Sequence, residues 1–378
     1  LMFSGSFIRN ASRQHIPGMD LIGPRPEGVS LEDTMTRAGG PYVGKMLSSA
    51  AHTRGATEVM SESFAASGYE MTLEKIIAIA NWQFATGVTE IMPMGRHHLR
   101  RRQAPETEET KRFFADEFFK DESLYGTYLG RCKALLTGGV HVADVAVLVP
   151  EVSIWANYTP APAVMPYAAY RKQNPVATKI DDAFIELSME LLHNQLDYDY
   201  LDDEAFLKAD IRGGRLLLSG ESYGVLVLPA ATTMRAAVTE KAAAFRRAGG
   251  HVFACGQFPH QAMERGKDGA VKQALSAIRL VQLPDLASSI RGVWKTDISV
   301  SPAEPKLYYI HKRRGAQDIY FFANMAAEAR DFNISFHRTK GAASVCDPRT
   351  GRIETIRTAP TARLSLNKLS ARFVVFGR

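Results

Sequence analysis

Apolar and polar positions alternate along residues 55–95 in a pattern that predicts a strand, a loop, a helix and a second strand. Residues 57–61 are short and partly β-branched, which is typical of a buried strand. A helical repeat of apolar side chains follows, at Leu73, Ile76, Ile77, Ala80 and Phe84. Thr72 is the predicted N-cap of this helix, Gly87 ends it, and residues 88–92 form the second apolar strand. The segment is therefore predicted to be a βαβ unit with parallel strands and a right-handed crossover.

Glu62 falls directly after the first of these predicted strands, where the loop begins. In a (β/α) barrel the catalytic groups stand at the carboxyl ends of the strands, because the loops there surround a cleft. Glu62 is therefore a candidate catalytic acid or base. The alternative is a solvated glutamate in a polar strand-to-loop transition. Glu58 precedes it by four residues, roughly 13 Å at the usual strand rise, and is predicted to lie below the cleft.

The composition changes after Gly138 and Gly139. Strands are predicted at residues 142–150, 198–201, 215–219, 225–229 and 251–255, and they alternate with helices at 181–195 and 236–248. Strands that alternate with helices over short connections predict an open, doubly wound α/β domain with a parallel sheet.

From about Leu307 the pattern changes again, to short strands separated by Gly, Pro, Asn and Asp turns. This pattern predicts an antiparallel β-sandwich. Five aromatic side chains in it are interpreted as core rather than as a carbohydrate platform: Tyr308, Tyr309, Tyr320, Phe321 and Phe322.

These patterns divide the chain into three predicted domains, at residues 1–139, 140–290 and 291–378. The first domain offers only three candidate barrel strands, near residues 19–22, 57–61 and 88–92. Three βα units cannot close an eight-stranded barrel. We therefore interpret the chain as the C-terminal portion of a larger protein.

Composition adds limits rather than a function. The chain has 378 residues, of which 46% are apolar and 23% charged, which is ample material for buried cores. A net charge of +6 comes largely from local runs such as residues 96–102 and 312–314, without interleaved aromatic side chains. Nucleic acid is therefore not an expected partner. No apolar run approaches the ~20 residues that span a bilayer, and residues 1–12 lack the order of a signal peptide.

The three cysteines, Cys132, Cys255 and Cys346, lie far apart, without metal-binding spacing or an evident disulfide framework. Cys255 is followed by Gly-Gln-Phe-Pro rather than by a helix, so it lacks the strand-to-helix elbow of an amidotransferase nucleophile. The chain has no glycine-rich nucleotide loop. The α/β domain is therefore interpreted as structural, as an oligomerisation surface or as part of the rim of the cleft.

Several motifs in chain order resemble those of large bacterial glycoside hydrolases related to family 106, the α-L-rhamnosidases. The acidic strand-end motif comprises Ser61, Glu62, Phe64, Gly68, Tyr69, Trp82, Gly87 and Val88. Residues 45–55, 319–324 and 346–353 also match. The resemblance implies the C-terminal part of a (β/α)8 barrel, then an amidotransferase-like α/β domain, then a β-sandwich.

The resemblance also implies a function. The substrate would be a terminal α-L-rhamnose on a plant or bacterial glycan, hydrolysed with inversion, and the location secreted or periplasmic. A calcium ion at the sugar site is implied by the resemblance alone, since no loop here has calcium-binding spacing. Glycoside hydrolysis needs two carboxyl groups. The partner of Glu62 is expected on an absent strand or among Asp20, Glu58 and Glu70, so the fragment alone is expected to be inactive.

Substrate-binding roles are assigned to Asp20, His52 and His97. A rim carboxylate such as Asp20 accepts two directional hydrogen bonds from sugar hydroxyls, although a turn or N-cap role is the alternative. His52 follows a helix of small residues, where packing or capping is the alternative. The resemblance implies a histidine where this chain has Met94, so the local sugar contacts are those of the family only if His97 or His98 takes its place.

Two other functions stay open. A non-catalytic carbohydrate-binding or assembly module would keep the strand-end acids as hydrogen-bonding groups. A glycosidase for another sugar, such as a β-galactoside, would keep the chemistry and change the specificity. A second strand-end acid on a complete barrel favours an enzyme.

Overall fold

The computed structural model describes residues 5–22, 40–65, 72–93, 122–160, 167–339, 341–357 and 361–377, which are called the described residues. They form two compact units. Unit 1 comprises the described residues within Leu1–Arg13, His52–Gly55 and Ala143–Asp297. Unit 2 comprises those within Gln14–Ala51, Ala56–Val142 and Ile298–Arg378.

Both units combine helices and strands. The helices are α1 (Phe7–Ala11), α2 (Gly40–His52), α3 (Leu73–Ala85), α4 (Glu122–Leu136), α5 (Glu151–Ala156), α6 (Tyr167–Gln173), α7 (Pro175–His193), α8 (Asp203–Lys208), α9 (Ala236–Arg247), α10 (Asp268–Leu275) and α11 (Leu283–Val293). The strands are β1 (Gly18–Ile22), β2 (Met60–Ala65), β3 (Glu90–Pro93), β4 (Val140–His141), β5 (Val145–Leu148), β6 (Tyr198–Leu201), β7 (Asp210–Arg212), β8 (Arg215–Leu218), β9 (Glu221–Tyr223), β10 (Val225–Leu228), β11 (Thr233–Met234), β12 (His251–Cys255), β13 (Gln261–Ala262), β14 (Arg279–Val281), β15 (Ile298–Ser301), β16 (Leu307–Arg314), β17 (Gln317–Asn324), β18 (Arg330–Phe336), β19 (Ala342–Cys346), β20 (Ile353–Arg357), β21 (Ala362–Leu366) and β22 (Ala371–Phe376). Among these described helices, none combines the length and apolar character that crossing a bilayer requires.

Unit 1 is built on a five-stranded parallel sheet with the order β14-β12-β10-β5-β6. The strands β5, β6 and β10 are buried along their whole length, as expected for strands covered on both faces. The predicted parallel pairing of the segments at 142–150, 225–229 and 251–255 is thereby confirmed. The fold is mixed α/β with parallel sheets.

One predicted strand of this domain is placed differently. Residues 215–219 were expected in the parallel sheet, but β8 pairs antiparallel with β7 and β9 in a separate small sheet. Gly213 and Gly214 join β7 to β8 with φ of +54° and +71°. Two consecutive residues at positive φ form the tight turn that favours a hairpin, and this turn directs β8 away from the parallel sheet.

Unit 1 also buries an acidic group next to its N-terminal helix. Glu151 is only 4% exposed, and the Ser6 hydroxyl donates a 2.5 Å hydrogen bond to its Oε1. Burial raises the pKa of Glu151 to about 7, with nearby Asp202 and Asp203 acting in the same direction and Arg9 opposing them. The folded protein therefore holds a proton on Glu151 that the unfolded chain releases near pH 4.5.

We expect unit 1 to lose stability as the pH rises from 5 to 8. The folded state binds more protons than the unfolded state between pH 4.5 and about 7, so the free energy of unfolding falls across that window. The difference between the pKa values of Glu151 in the folded and unfolded states corresponds to at most about 3 kcal/mol of unfolding free energy. Glu151→Gln should remove most of the slope, and the part that persists should come from Asp203, whose pKa burial raises to about 6. Urea unfolding at pH 5 and pH 8 checks this, and an unchanged slope in Glu151→Gln would contradict it.

Unit 2 contains a three-stranded parallel sheet with the order β1-β2-β3. Helix α3 connects β2 to β3, and the Thr72 hydroxyl caps it by accepting the Lys75 N–H. Gly87 follows the helix at φ +99°, where a Cβ would lie 2.4 Å from the Ser48 Cβ. The predicted βαβ unit, its N-cap and its terminating glycine are confirmed.

The first strand of the βαβ unit, β2, was predicted at residues 57–61, and these limits are wrong. The strand β2 begins at Met60, whose N–H donates to the Pro17 carbonyl at 2.9 Å, directly before β1 begins. The position of a strand follows from its neighbours more than from local β-branching. Glu62 therefore lies inside β2 rather than after it, and Glu58 precedes the strand, so the predicted 13 Å offset along one strand does not apply.

The rest of unit 2 is antiparallel. One sheet has the order β20-β19-β22-β17-β16-β4 and another the order β15-β18-β21, and both contribute to one apolar core. Tyr308, Tyr309, Tyr320, Phe321 and Phe322 are at most 4% exposed, which confirms their interpretation as core. Helix α3 packs on this region, with the rings of Phe84 and Phe321 6.1 Å apart in an edge arrangement.

Candidate active site

Two carboxylate side chains lie next to each other on the parallel sheet of unit 2. Asp20 of β1 is the direct register partner of Glu62 of β2, and Glu62 is in turn the partner of Met92 of β3. Register partners on parallel strands present their side chains to the same face of a sheet. All three side chains are exposed, Met92 by 47%. The sheet thus presents an open row in which two carboxylates stand side by side.

The orientation of this row is fixed from the opposite face of β2. Ser61 and Ser63 are fully buried, and both hydroxyls bond to Gln83 of α3. The Gln83 Nε2 donates to Ser63 Oγ at 3.1 Å, and the Ser61 hydroxyl donates to Gln83 Oε1. The group formed by Ser61, Ser63 and Gln83 is called the serine clamp. Because side chains alternate along a strand, holding both serines on the helix turns Glu62 to the open face.

A bulge follows Glu62 at once. Leu21 pairs with Ser63 while Ile22 pairs with Ala65, so Phe64 is skipped in the register. Phe64 has a φ of +72° and is 2% exposed. A bulky residue in this left-handed region costs on the order of 1–3 kcal/mol. Bulges of this kind redirect side chains and are enriched next to active sites.

We expect Gln83→Leu to destabilise unit 2 by about 1–3 kcal/mol, because the two buried hydroxyls lose their shared partner and keep only the 2.9 Å hydrogen bond between them. Adding Ser61→Ala and Ser63→Ala to the same variant should recover part of that loss, since neither under-satisfied hydroxyl then remains in the buried site. Chemical denaturation of the three proteins checks this, with Glu74→Gln on the exposed face of α3 as a near-neutral control. A Gln83→Leu variant as stable as the parent would contradict the role of Gln83.

His52, assigned to substrate binding from the sequence, is buried in unit 1 at 4% exposure. Its Nδ1 lies 2.8 Å from Oδ1 of Asp199, and the Tyr223 hydroxyl donates to Oδ2 of the same carboxylate at 3.1 Å. Burial and the charge of Asp199 hold the pKa of Tyr223 well above its usual value of 10. This geometry is that of a buried polar network, and a direct sugar contact by His52 stays a prediction.

Other sequence-derived candidates lie elsewhere. His97, His98, Met94 and Glu70 fall outside the described residues. Cys255 ends β12, and burial raises its pKa to about 11, so the thiol stays protonated at neutral pH. A protonated, buried thiol is a poor nucleophile.

The calcium ion implied by the family can be tested against the donors of the site. Calcium takes six to eight oxygen ligands. Within the described residues, no third His, Cys, Asp or Glu ligand atom joins Asp20 and Glu62 at metal-binding spacing. The described residues of this row therefore do not fit a calcium site, and no step below depends on one.

Comparison with known proteins decides the family. The profile of glycoside hydrolase family 106, α-L-rhamnosidase, matches residues 43–359. The chain belongs to glycoside hydrolase family 106. The resemblance read from the sequence motifs is thereby confirmed. A search of curated proteins found no match for this family 106 chain.

Solved structures show a similar fold. A rhamnosidase from Novosphingobium sp. PP1Y superimposes with a TM-score of 0.68 at 19% identity, covering 98% of this chain and 35% of that protein. The β-galactosidase of Bacillus circulans sp. alkalophilus gives a TM-score of 0.63 at 11% identity, covering 98% and 61%. The family 42 β-galactosidase Gan42B of G. stearothermophilus, solved as a catalytic mutant with a glutamate replaced by alanine, gives 0.64 at 11%, covering 98% and 61%. The family 106 chain thus spans about a third to three fifths of the length of these proteins.

The residues that orient the row of Asp20, Glu62 and Met92 were not identified from the sequence. Gln83 has the spacing of a buried helix residue, and Ser61 and Ser63 are spaced as one face of a strand, so this pattern was available but is not specific. The bulge at Phe64 has no sequence signal, because no glycine marks it.

Proposed function

We propose that this family 106 chain forms part of an α-L-rhamnosidase that hydrolyses a terminal α-L-rhamnose, with Glu62 as one of the two catalytic carboxyl groups. The observation that carries the proposal is the exposed row in which Glu62 stands beside Asp20 on neighbouring parallel strands. Membership of family 106 supports the substrate class.

The proposed role of Glu62 is proton transfer. Cleavage of a glycosidic bond needs one carboxylic acid to protonate the leaving oxygen and one carboxylate to activate water or attack the sugar. Glu62 is free of the buried serine clamp and faces the open side of the sheet, where it can exchange a proton with a bound sugar or water. The family resemblance implies inversion at the anomeric carbon.

Asp20 has a different proposed role. Neighbouring strands of a sheet lie about 4.8 Å apart, so Asp20 and Glu62 approach a sugar from the same side. The acid and base of a glycosidase flank the scissile bond instead. Asp20 is therefore assigned to substrate binding, in which its carboxylate accepts hydrogen bonds from sugar hydroxyls. The second catalytic carboxyl is not assigned.

The proposed architecture follows from the same reasoning. The sheet β1-β2-β3 corresponds to strands of a (β/α)8 barrel, the parallel sheet of unit 1 to an amidotransferase-like domain, and the two antiparallel sheets of unit 2 to a β-sandwich. The proposed domain limits are those of the sequence patterns, 1–139, 140–290 and 291–378. Parallel pairing of β1, β2 and β3 supports the barrel assignment.

A panel of aryl glycosides tests the proposal in the full-length protein. We expect turnover of an aryl α-L-rhamnoside and none of an aryl β-galactoside. Preferential turnover of the β-galactoside would favour the second candidate, which the β-galactosidase folds support. Binding of rhamnose without turnover of any glycoside would contradict catalysis and leave a carbohydrate-binding module.

A further inference from the structure

Unit 2 contains a cavity that shares no lining residue with the row of Asp20 and Glu62. Its volume is about 600 Å³, within the range of roughly 300–1,000 Å³ that small-ligand sites occupy. It lies where α3 and α4 meet the turns that follow β19 and β21. The turn after β19 belongs to residues 346–353, a motif that the proposed reaction does not use.

The inner wall of the cavity is apolar and fixed. Ile77 and Tyr128 are 4% and 2% exposed, and Ala371 is 2% exposed. The Tyr128 hydroxyl donates to Asn81 Oδ1, and Asn81 Nδ2 donates to the Leu369 carbonyl at 3.2 Å. These side chains are almost closed to solvent, so they form the floor of the cavity, and the hydrogen bonds of Tyr128 and Asn81 hold that floor in place before a ligand arrives.

The polar side of the cavity is equally preorganised. Asp347 Oδ1 accepts the Arg349 N–H at 2.8 Å, and Asp347 Oδ2 lies 3.1 Å from Arg372 Nη2. Arg131 Nη1 donates to the carbonyls of Pro348 and Arg349, at 3.0 Å each. These contacts set the shape of the turn without using the Arg349 guanidinium.

Among the lining residues that the structure describes, the charge is positive. Asp347 is balanced by Arg372, and the other charged side chains of this set are the exposed cations Arg349 and Lys368 and the exposed acid Glu74. Cations beside an apolar wall recognise a ring that carries a carboxylate, because charge-assisted hydrogen bonds are about twice as strong as neutral ones. We propose that this cavity binds a uronate-containing saccharide, as a binding site separate from the row of Asp20 and Glu62.

Calorimetric titration of the full chain tests the proposal. The probes are trisaccharides of mannuronate and of galacturonate, each beside the matched mannose or galactose trisaccharide that carries a hydroxymethyl group in place of each carboxylate. We expect at least one uronate trisaccharide to bind about tenfold or more tightly than its neutral match, with an affinity that falls as salt rises.

Variants locate the binding. Lys368→Gln and Arg349→Gln should each weaken uronate binding by about fivefold or more, since each removes a charged donor. Arg363→Gln, which removes another exposed cation outside the cavity, should change it by less than about twofold, and Glu62→Gln should leave it unchanged. Equal melting temperatures establish that the variants fold. The proposal is overturned if neither uronate binds, if the neutral trisaccharides bind as tightly, or if Arg363→Gln weakens binding as much as the cavity variants.

Discussion

Replacing Glu62 with glutamine should lower the turnover of an aryl α-L-rhamnoside by about 10²–10⁴-fold in the full-length protein. The substitution keeps the shape of the side chain and most of its hydrogen bonds, but an amide cannot exchange the catalytic proton. A group that acts mainly in the transition state affects turnover much more than substrate affinity. We therefore expect KM to change little. Because Glu62 is exposed and outside the serine clamp, the melting temperature should also change little.

Glu58→Gln is the matched control, since Glu58 precedes β2 rather than lying in the row. It should retain most of the turnover. Asp20→Asn should raise KM more than it lowers turnover, as expected for a group that binds sugar hydroxyls. A Glu62→Gln variant that melts normally and keeps most of its turnover, or a Glu58→Gln variant with less turnover than Glu62→Gln, would refute the assignment.

Asp199→Ala should destabilise unit 1 by about 1–3 kcal/mol for each of the two buried groups that lose their acceptor. Asp199 is fully buried. Its Oδ1 lies 2.8 Å from His52 Nδ1, and its Oδ2 accepts a hydrogen bond from the Tyr223 hydroxyl at 3.1 Å. Removing the carboxylate takes away the acceptor that both buried groups share. Restoring their hydrogen bonds with water would require solvent to enter a site in which β6 is buried along its whole length.

The control for Asp199→Ala is Asp331→Ala. Asp331 also accepts from two partners, Arg363 at 2.6 Å and Ser365 at 2.5 Å, but it lies on the surface. Solvent replaces these contacts, so little change in stability is expected. Urea unfolding compares the two variants. A loss in Asp199→Ala no larger than in Asp331→Ala would contradict a structural role for the buried network.

The sequence was sufficient for elements that repeat over many residues. The helical spacing of Ile76, Ile77 and Ala80 behind Thr72 predicted α3, and the apolar runs predicted the parallel strands β5, β10 and β12 of unit 1. These signals come from burial, which acts on every turn of a helix and on every residue of a strand that is covered on both faces. The limits of β2 were missed because they depend on the Pro17 carbonyl, which lies more than 40 residues away in the chain.

The candidate site could be identified only from the register between β1 and β2. Asp20 and Glu62 were each selected from the sequence, but only the pairing of β1 with β2 places them side by side. A shift of one residue would move either carboxylate to the helix face. The serine clamp and the bulge at Phe64 also depend on three-dimensional partners. Local propensity contains no information about them.

The central claim, that Glu62 acts directly on the glycosidic bond, is tested most directly by a crystal structure of the full-length Glu62→Gln variant with an aryl α-L-rhamnoside. The account predicts an intact glycoside on the face of β1-β2-β3. The side chain at position 62 should then lie within about 2.6–3.2 Å of the glycosidic oxygen or of a water positioned for attack at the anomeric carbon. The Asp20 carboxylate should accept a hydrogen bond from a sugar hydroxyl. A glycoside bound elsewhere, with position 62 in contact with neither atom, would contradict the account.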